Sequence, residues 1–313
     1  MGKVLITGGA GFIGSNLAYL LLQEGYEATI YDDFSSGYAA NVADIPRLEI
    51  VEGDVCDAEH LDAVAAGADI IFHLAASVGN KRSIDHPRKD ASVNLMGTPN
   101  VLEAARVNGV GKIVYSSSAG IFGELRDLPI REDHQVEPDS PYGVSKLAGE
   151  KMCLAYAKLY AIEAVCLRYF NVYGKHQRYD AYGNVIPIFA QQMLNGERVT
   201  IFSDGEQTRD FVNVQDVARA NLLAGRAKNV SGAFNIASGS AITVNRLVEL
   251  MTAISGCTPS IVHGPPRKGD VRHSCADVSA ARAAIGYNPT VGLEEGLAEY
   301  IKWLRMQPSR EPA

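Results

Sequence analysis

The sequence predicts an α/β protein in which a Rossmann-type, doubly wound parallel sheet is joined to a smaller C-terminal α/β lobe. Its first residues carry the clearest signal, because the apolar run 4–6 enters a glycine-rich turn and then a helix with apolar residues at helical spacing. Apolar strands and helices continue to alternate through the first half of the chain. Repeated βαβ units of this length predict a parallel sheet.

The turn after the first strand has the spacing Gly8-x-x-Gly11-x-x-Gly14, one residue longer at the front than that of ordinary dehydrogenases. Glycine is needed where the turn is tight and where the backbone must approach a pyrophosphate. The phosphates would sit at the N-terminus of the helix that begins around Phe12 and Ile13. This turn predicts a dinucleotide-binding site.

Two acidic residues, Asp32 and Asp33, follow the second apolar segment at residues 28–30. They lie at the distance where a carboxylate receives the hydroxyls of the adenosine ribose. No Arg or Lys follows in residues 34–37 to bind a 2′-phosphate. The cofactor is therefore expected to be NAD rather than NADP.

Further strands are expected at residues 50–54, 70–75, 113–116 and 164–168, with helices near Leu61 and over residues 93–107 and 142–159. After Gly174 the pattern changes to a polar, turn-rich stretch at 179–184, a helix over 188–195, and then mixed strands, loops and helices. We therefore assign residues 1–174 to a Rossmann domain and 175–313 to a ligand-binding lobe. Segments near 209–238 are expected to return to the first domain.

Composition narrows the class of protein. The 313 residues carry a formal net charge of -7, which disfavours a nucleic-acid-binding surface. The five cysteines have no C-x-x-C spacing, so the sequence suggests neither a disulfide framework nor a zinc site, and no metal is expected. With neither a leader pattern nor a long apolar run, we expect a cytoplasmic enzyme that does not bind a membrane.

The candidate catalytic residues are Tyr142, Lys146 and Ser118. Tyr142 and Lys146 share one face of a helix that follows a proline-rich turn at 138–141. A nearby ammonium, together with an oxidised nicotinamide, favours the phenolate of a tyrosine whose ordinary pKa is about 10. Such pairs also occur by chance, but Ser118 ends the strand that precedes this helix. Serine, tyrosine and lysine beside an NAD site are typical of redox chemistry between hydroxyls and carbonyls.

The chain resembles the extended short-chain dehydrogenases/reductases, and within them the nucleotide-sugar 4-epimerases that act on UDP-glucose or UDP-N-acetylglucosamine. The resemblance runs from Val4 to about Trp303. Besides the glycine-rich turn, its motifs are Asp54-Val55, His73-Leu74-Ala75-Ala76, Ser116-Ser117-Ser118, Tyr142-x-x-x-Lys146, Arg168-Tyr169-Phe170-Asn171, Arg209-Asp210-Phe211 and Arg267-x-Gly269-Asp270.

The resemblance implies roles for single residues around NAD. Asp54 and Val55 would meet the adenine, Asn94 would order neighbouring loops, and Lys146 would also bind the nicotinamide ribose. Further residues expected beside the cofactor are Leu74, Ala75, Ala76, Ser116, Tyr142 and Tyr169.

The resemblance also implies that the second lobe binds the UDP part of a sugar nucleotide. Arginine suits this task because its planar guanidinium can contact phosphate oxygens bidentately. The expected substrate-binding residues are Ser118, Asn171, Arg178, Asn184, Val185, Thr200, Phe202, Arg209, Arg267, Asp270 and Ser274.

Epimerisation at carbon 4 is favoured over the other reactions of this group. Dehydratases and decarboxylases that resemble this chain carry acidic side chains immediately after the position of Ser118, whereas this chain has Ala119 and Gly120. Elimination of water needs an acid and a base, so their absence favours simple epimerisation.

The alternatives for substrate and reaction are UDP-N-acetylhexosamines, UDP-glucuronate, and the reaction of another nucleotide-sugar epimerase or reductase. A small residue at Ser274 resembles enzymes that admit N-acetylhexosamines, while Gln177-Arg178 resembles UDP-glucuronate 4-epimerases, which usually carry threonine at the position of Asn171. The loop 80–83 has no assigned role. A non-catalytic NAD-binding regulatory protein is the alternative of another class. A homodimer built from the helices around Val101 and Tyr156 is expected by analogy with the family.

Overall fold

The centre of the computed structural model is a parallel sheet of seven strands, which confirms the predicted fold class. The structure describes residues 2–177, 179, 184–266 and 271–307. Its strands are β1 (Lys3–Thr7), β2 (Glu27–Asp32), β3 (Glu49–Glu52), β4 (Ile70–His73), β5 (Lys112–Ser118), β6 (Glu163–Tyr169), β7 (Asn171–Tyr173), β8 (Val199–Phe202), β9 (Thr208–Asn213), β10 (Gly232–Ile236), β11 (Ala241–Thr243) and β12 (Ile261–Gly264).

The order of the large sheet is β10-β6-β5-β4-β1-β2-β3. The chain begins in the middle of the sheet, so that Val4 of β1 lies between Ala28 of β2 and Ile70 of β4. Connections leave β1 and β4 toward opposite edges, which opens a crevice at their carboxyl ends. The glycine-rich turn lies at this point.

Helices cover both faces of the sheet. They are α1 (Phe12–Gln23), α2 (Ala58–Ala65), α3 (Asn80–Asp85), α4 (Pro87–Ala91), α5 (Gly97–Val107), α6 (Pro141–Leu159), α7 (Val185–Leu194), α8 (Val214–Arg226), α9 (Val244–Ser255), α10 (Ser279–Ile285) and α11 (Leu293–Arg305). One buried cluster joins α1 and α8 to the sheet through Leu17, Leu21 and Leu222. A second joins α2 and α5 to the other face through Leu61 and Val101.

The chain from β7 onward also builds smaller sheets around a third buried cluster. Strands β7, β9 and β11 form a three-stranded sheet, and β8 pairs with β12. Phe189, Leu247 and Leu297, from α7, α9 and α11, belong to the third cluster. Strand β10 lies beside β6 in the large sheet, so the chain crosses from one sheet system to the other more than once.

Some elements extend beyond their predicted limits. Strand β5 continues to Ser118, two residues past the expected end, because Ser116, Ser117 and Ser118 pair with residues 167–169 of β6 despite their polar side chains. Helix α7 begins at Val185, three residues earlier than expected. Within the described ranges, no helix has the length and apolar character needed to cross a bilayer.

Candidate active site

A cleft of about 740 Å³ opens at the carboxyl ends of the central strands. It is lined by the glycine-rich turn, by residues that follow β2, β4, β5 and β6, and by the first turn of α6. Residues from the later part of the chain, including Arg209 and Ser274, close its other side. Many of the residues predicted for the site line this cleft.

The glycine-rich turn leaves no space for side chains at two of its positions. A Cβ at Gly14 would lie 2.2 Å from the carbonyl oxygen of Gly8. Gly8 itself has a φ of 70°, and a Cβ there would lie 2.6 Å from the backbone nitrogen of Ala75. Gly11, Phe12 and Ile13 line the cleft directly beside this turn. The bare backbone and the start of α1 form a surface suited to a diphosphate.

The two acids after β2 have different environments. Asp32 is buried, and its carboxylate accepts hydrogen bonds from the backbone N–H groups of Ala10 at 2.9 Å and Phe34 at 2.8 Å. Burial raises the pKa of Asp32 against the effect of these bonds. Asp33 is exposed and accepts from the backbone N–H of Ser35 at 3.0 Å. Both acids line the cleft.

Other residues that were predicted to lie beside the cofactor form the cleft walls next to these acids. Asp54 is exposed and caps a turn by accepting from the backbone N–H of Cys56 at 2.9 Å, while the neighbouring Val55 is buried. The cleft-lining residues here are Leu74, Ala75 and Ala76, which follow β4, together with Ser116 of β5 and Tyr169 at the end of β6.

Ser118 and Tyr142 meet in the cleft. Ser118 stands at the end of β5, and Tyr142 lies in the first turn of α6, where Ser140 caps the helix by accepting from the backbone N–H of Gly143 at 3.1 Å. A second hydroxyl fixes the same turn, because the backbone N–H of Tyr142 donates to Oγ of Ser83 at 3.0 Å. The side chains of Ser118 and Tyr142 are hydrogen bonded to each other.

Burial dominates the ionisation of this site. It raises the pKa of Tyr142 to about 12, while the hydrogen bond with Ser118 acts in the opposite direction. It also lowers the pKa of Lys146 to about 8. The groups of the protein alone therefore raise the pKa of Tyr142, whereas the sequence analysis expected the phenolate to be favoured by Lys146 together with an oxidised nicotinamide. A further positive charge in the cleft is needed to favour the phenolate.

Lys146 lies one helical turn after Tyr142 on α6 and is buried. Its ammonium lies over the ring of Tyr115, 4.5 Å from the ring centroid. His73 is close enough for the charge of Lys146 to act on it, and burial together with that charge lowers the pKa of His73 to about 3. His73 is held by the hydroxyl of Thr7 at 2.7 Å and stays neutral.

Asn94 joins the loop after β4 to the catalytic helix. Its Oδ1 accepts from the backbone N–H of Ser77 at 2.9 Å, and its Nδ2 lies within 3.0 Å of Oγ of Ser145 and 3.1 Å of Oδ1 of Asp90. Asn94 lies in a π-helical turn between α4 and α5, and it does not line the cleft itself. Sequence reasoning missed Asp90 and Ser145, although Asp90 precedes Asn94 by one helical turn.

The predicted substrate-binding residues divide into three groups. Asn171, Asn184, Arg209 and Ser274 line the cleft, and Asn171 donates from Nδ2 to the carbonyl of Asp210 at 3.1 Å. A second group, Val185 on α7 together with Thr200 and Phe202 on β8, does not belong to the described residues that line the cleft. Arg178, Arg267 and Asp270 lie outside the described residues.

The two residues that follow Ser118 carry no acidic side chain. Ala119 and Gly120 follow Ser118 and line the cleft. A Cβ at Gly120 would lie 3.4 Å from Oγ of Ser118 and 3.7 Å from the ring of Tyr142. A side chain at this position would therefore touch both proposed catalytic groups.

Comparisons with known proteins agree with this geometry. The model of the NAD dependent epimerase/dehydratase family matches residues 4–237. A UDP-glucose 4-epimerase of Mycolicibacterium smegmatis is 38% identical over 308 residues, which cover 97% of this chain and 98% of that protein.

Two solved structures are similar over nearly their whole length. The UDP-glucose 4-epimerase of Thermotoga maritima with UDP-glucose has a TM-score of 0.92 and 38% identity, covering 97% of this chain and 98% of that chain. The UDP-N-acetylglucosamine 4-epimerase of Methanobrevibacter ruminantium, in complex with UDP-N-acetylmuramic acid, has a TM-score of 0.93 and 34% identity with the same coverage.

Proposed function

This chain belongs to the NAD dependent epimerase/dehydratase family, and we propose that it interconverts the carbon-4 epimers of a UDP-hexose. The reaction is a transient oxidation at carbon 4 followed by reduction from the opposite face of the sugar. UDP-glucose and UDP-galactose form the principal substrate pair.

The observation that carries this proposal is the bare backbone at Gly120. Dehydratases and decarboxylases also begin with a 4-keto sugar, but each needs a further acidic group to eliminate water or to process a carboxylate. In this protein the position that would touch both Ser118 and Tyr142 has no side chain. The keto sugar can therefore only be reduced again, which gives epimerisation.

The residues of the cleft fit NAD. The turn from Gly8 to Gly14 excludes side chains where a diphosphate would approach, and Asp33 presents an exposed carboxylate followed by residues 34–37, which contain no Arg or Lys for a 2′-phosphate. We assign the ribose to Asp32 and Asp33 and the nicotinamide ribose to Lys146. When bound, NAD accepts the hydride from carbon 4 and later returns it.

Tyr142 performs the acid–base chemistry in this proposal. It takes the proton of the 4-hydroxyl as that group is oxidised and gives it back on reduction. Ser118 donates a hydrogen bond that holds the sugar oxygen and stabilises the phenolate. Lys146 keeps positive charge behind the tyrosine, which favours the phenolate together with the oxidised nicotinamide.

The nucleotide must stay bound while the keto sugar rotates to present its opposite face. Arg209 and Asn171 stand on one side of the cleft, where they can hold the diphosphate. We assign Arg178, Asn184, Arg267 and Asp270 to the same task. Ser274 is buried and small, and it leaves space for an N-acetyl group, so UDP-N-acetylglucosamine belongs to the substrate range.

We also propose a homodimer and a division of the chain at Gly174 into a cofactor-binding part and a nucleotide-sugar-binding part. Two helices expected at the dimer interface expose large apolar side chains. Met96 precedes α5 and is 63% exposed, Val144 of α6 is 51% exposed and Leu159 is 71% exposed. Sedimentation that shows only monomer at micromolar concentration would remove the dimer.

Proton NMR of the purified protein with UDP-glucose, UDP-N-acetylglucosamine or UDP-glucuronate tests the proposed reaction. A 4-epimer should appear without net formation of NADH. Fastest turnover of UDP-glucuronate would instead favour a hexuronate epimerase, for which the cleft-lining Lys81 and Arg82 supply positive charge. Equal inactivity of the wild type and Tyr142→Phe, with NAD bound, would point to a non-catalytic protein.

A further inference from the structure

A buried acid lies behind the proposed catalytic helix. Asp90 belongs to α4, is 2% exposed and accepts a hydrogen bond at Oδ1 from Nδ2 of Asn94 at 3.1 Å. The hydroxyl of Ser145 reaches both this carboxylate and the carbonyl of Tyr142, the latter at 2.9 Å. Asp90 therefore contacts α6 at the residue that stands between Tyr142 and Lys146.

Asp90 and Lys146 carry opposite charges in one buried region. Lys146 is also 2% exposed, and an ammonium buried without a compensating charge would be strongly disfavoured. Burial raises the pKa of Asp90 and lowers that of Lys146, and the charge of each residue acts against the effect of burial on the other. Each charge thus stabilises the other.

Among the described residues, the other titratable groups around Lys146 are not carboxylic acids. They come from β4, β5, β6 and α6 and are His73, Tyr115, Cys166, Tyr142 and Cys153. Burial lowers the pKa of His73 to about 3 and holds that of Tyr115 well above its ordinary value. Among the described residues, Asp90 is the carboxylate that acts on both Lys146 and Tyr142.

We propose that Asp90 is a positioning residue for the epimerase reaction: it is the buried counter-charge of Lys146, and through Asn94 and Ser145 it fixes α6 against the loop after β4. The inference rests on the proposed function, in which Lys146 must stay protonated while Tyr142 exchanges a proton with the substrate. Asp90 contacts neither the cleft nor the reacting atoms, so it acts through these neighbours.

The isosteric variant Asp90→Asn tests this role because it removes the charge and keeps the shape. Loss of the carboxylate should lower the pKa of both Lys146 and Tyr142. In a profile of kcat against pH with UDP-glucose, both limbs should therefore move to lower pH, the basic limb by about one pH unit. Asp127→Asn is the matched control, because Asp127 is exposed and is not among the described residues that line the cleft, and it should leave the limbs in place.

A substrate-free measurement separates this inference from the proposed function. The ultraviolet absorbance of the Tyr142 phenolate is obtained by subtracting the titration of a Tyr142→Phe variant, with and without Asp90→Asn. The tyrosine should titrate at lower pH when Asp90 is replaced, whichever sugar the enzyme uses. Unchanged limbs together with an unchanged Tyr142 titration would overturn the proposal, even if kcat fell.

A second variant covers the case in which Asp90→Asn does not fold. In a Lys146→Met background, loss of the carboxylate no longer leaves a buried ammonium without its counter-charge, so Lys146→Met/Asp90→Asn should fold, and its Tyr142 should titrate at lower pH than in Lys146→Met alone. Ser145→Ala removes a hydroxyl without changing charge, so it should lower kcat and leave the pH limbs where they are. An identical Tyr142 titration in Lys146→Met and in the double variant would contradict the electrostatic role.

Discussion

Arg168 holds both carboxylate oxygens of Glu150, with Nε 3.0 Å from Oε2 and Nη2 2.8 Å from Oε1. Glu150 lies on α6 one turn after Lys146, and its Oε2 also accepts from the hydroxyl of Ser117 at 2.7 Å. The ion pair therefore ties α6 to β6, and the hydrogen bond from Ser117 ties α6 to the end of β5 beside Ser118. Glu150 is fully buried.

Replacing Glu150 with Gln should destabilise the fold strongly. The variant leaves the guanidinium of Arg168 buried without its counter-charge, which costs about 3–5 kcal/mol of the free energy of unfolding. Urea unfolding at a fixed NAD concentration measures this. Glu103→Gln removes the partner of Arg106 in an exposed pair and should cost no more than about 1 kcal/mol. Equal losses in the two variants would contradict the argument from burial.

Tyr142→Phe should abolish most of the activity without unfolding the protein. Removal of the hydroxyl takes away the proposed acid and base, so kcat should fall by about 10²–10⁴-fold. The NMR assay and the melting temperature report the two effects. Tyr156→Phe removes a hydroxyl from the same helix, where it bonds Glu103, and should keep kcat within about twofold of wild type. Comparable activity of wild type and Tyr142→Phe would exclude Tyr142 as the base.

The pH dependence of turnover should show the ionisation of Lys146. Its pKa is lowered to about 8, so its ammonium is present below that pH and is lost as the pH rises through it. Activity should fall over the same range. Lys146→Met should lower kcat by about 10²-fold and abolish this basic limb. Lys151→Met, at an exposed position of α6, should retain the limb. An unaltered limb in Lys146→Met would assign it to another group.

Ser274→Tyr should narrow the range of sugars. A bulky ring at this buried, cleft-lining position would occupy the space assigned to an N-acetyl group. The kcat/KM for UDP-N-acetylglucosamine should fall by about 10²-fold or more, while that for UDP-glucose should stay within about threefold. Ser274→Ala keeps the small volume and serves as the control. Parallel losses with both substrates would show that the residue does not select the sugar.

The central sheet was predictable because its signals are local, and the proposed catalytic trio rests on local spacing as well. A strand, a glycine-rich turn and a helix follow one another within 14 residues, and Tyr142 and Lys146 are one helical turn apart. The alternation of apolar segments was enough to predict the parallel sheet. The length of β5 was predicted too short at its polar end, because Ser117 and Ser118 belong to the strand only through pairing with β6.

The electrostatics of the site could not be predicted from spacing. The sequence suggested that Lys146 and an oxidised nicotinamide favour the phenolate of Tyr142, but burial raises the pKa of Tyr142 to about 12, and burial is a property of the folded chain. Asp90 reaches α6 only because a π-helical turn and the loop after β4 bring Asn94 and Ser145 together. Such contacts join residues that are more than 50 positions apart.

The most direct test of the central claim follows the hydrogen at carbon 4. The protein is incubated in ordinary water with UDP-glucose that carries deuterium at carbon 4, and the product is analysed by NMR and mass spectrometry. Our account predicts UDP-galactose that retains deuterium at carbon 4, because hydride leaves and returns within one active site. UDP-galactose with protium at carbon 4, or no epimer at all, would contradict it.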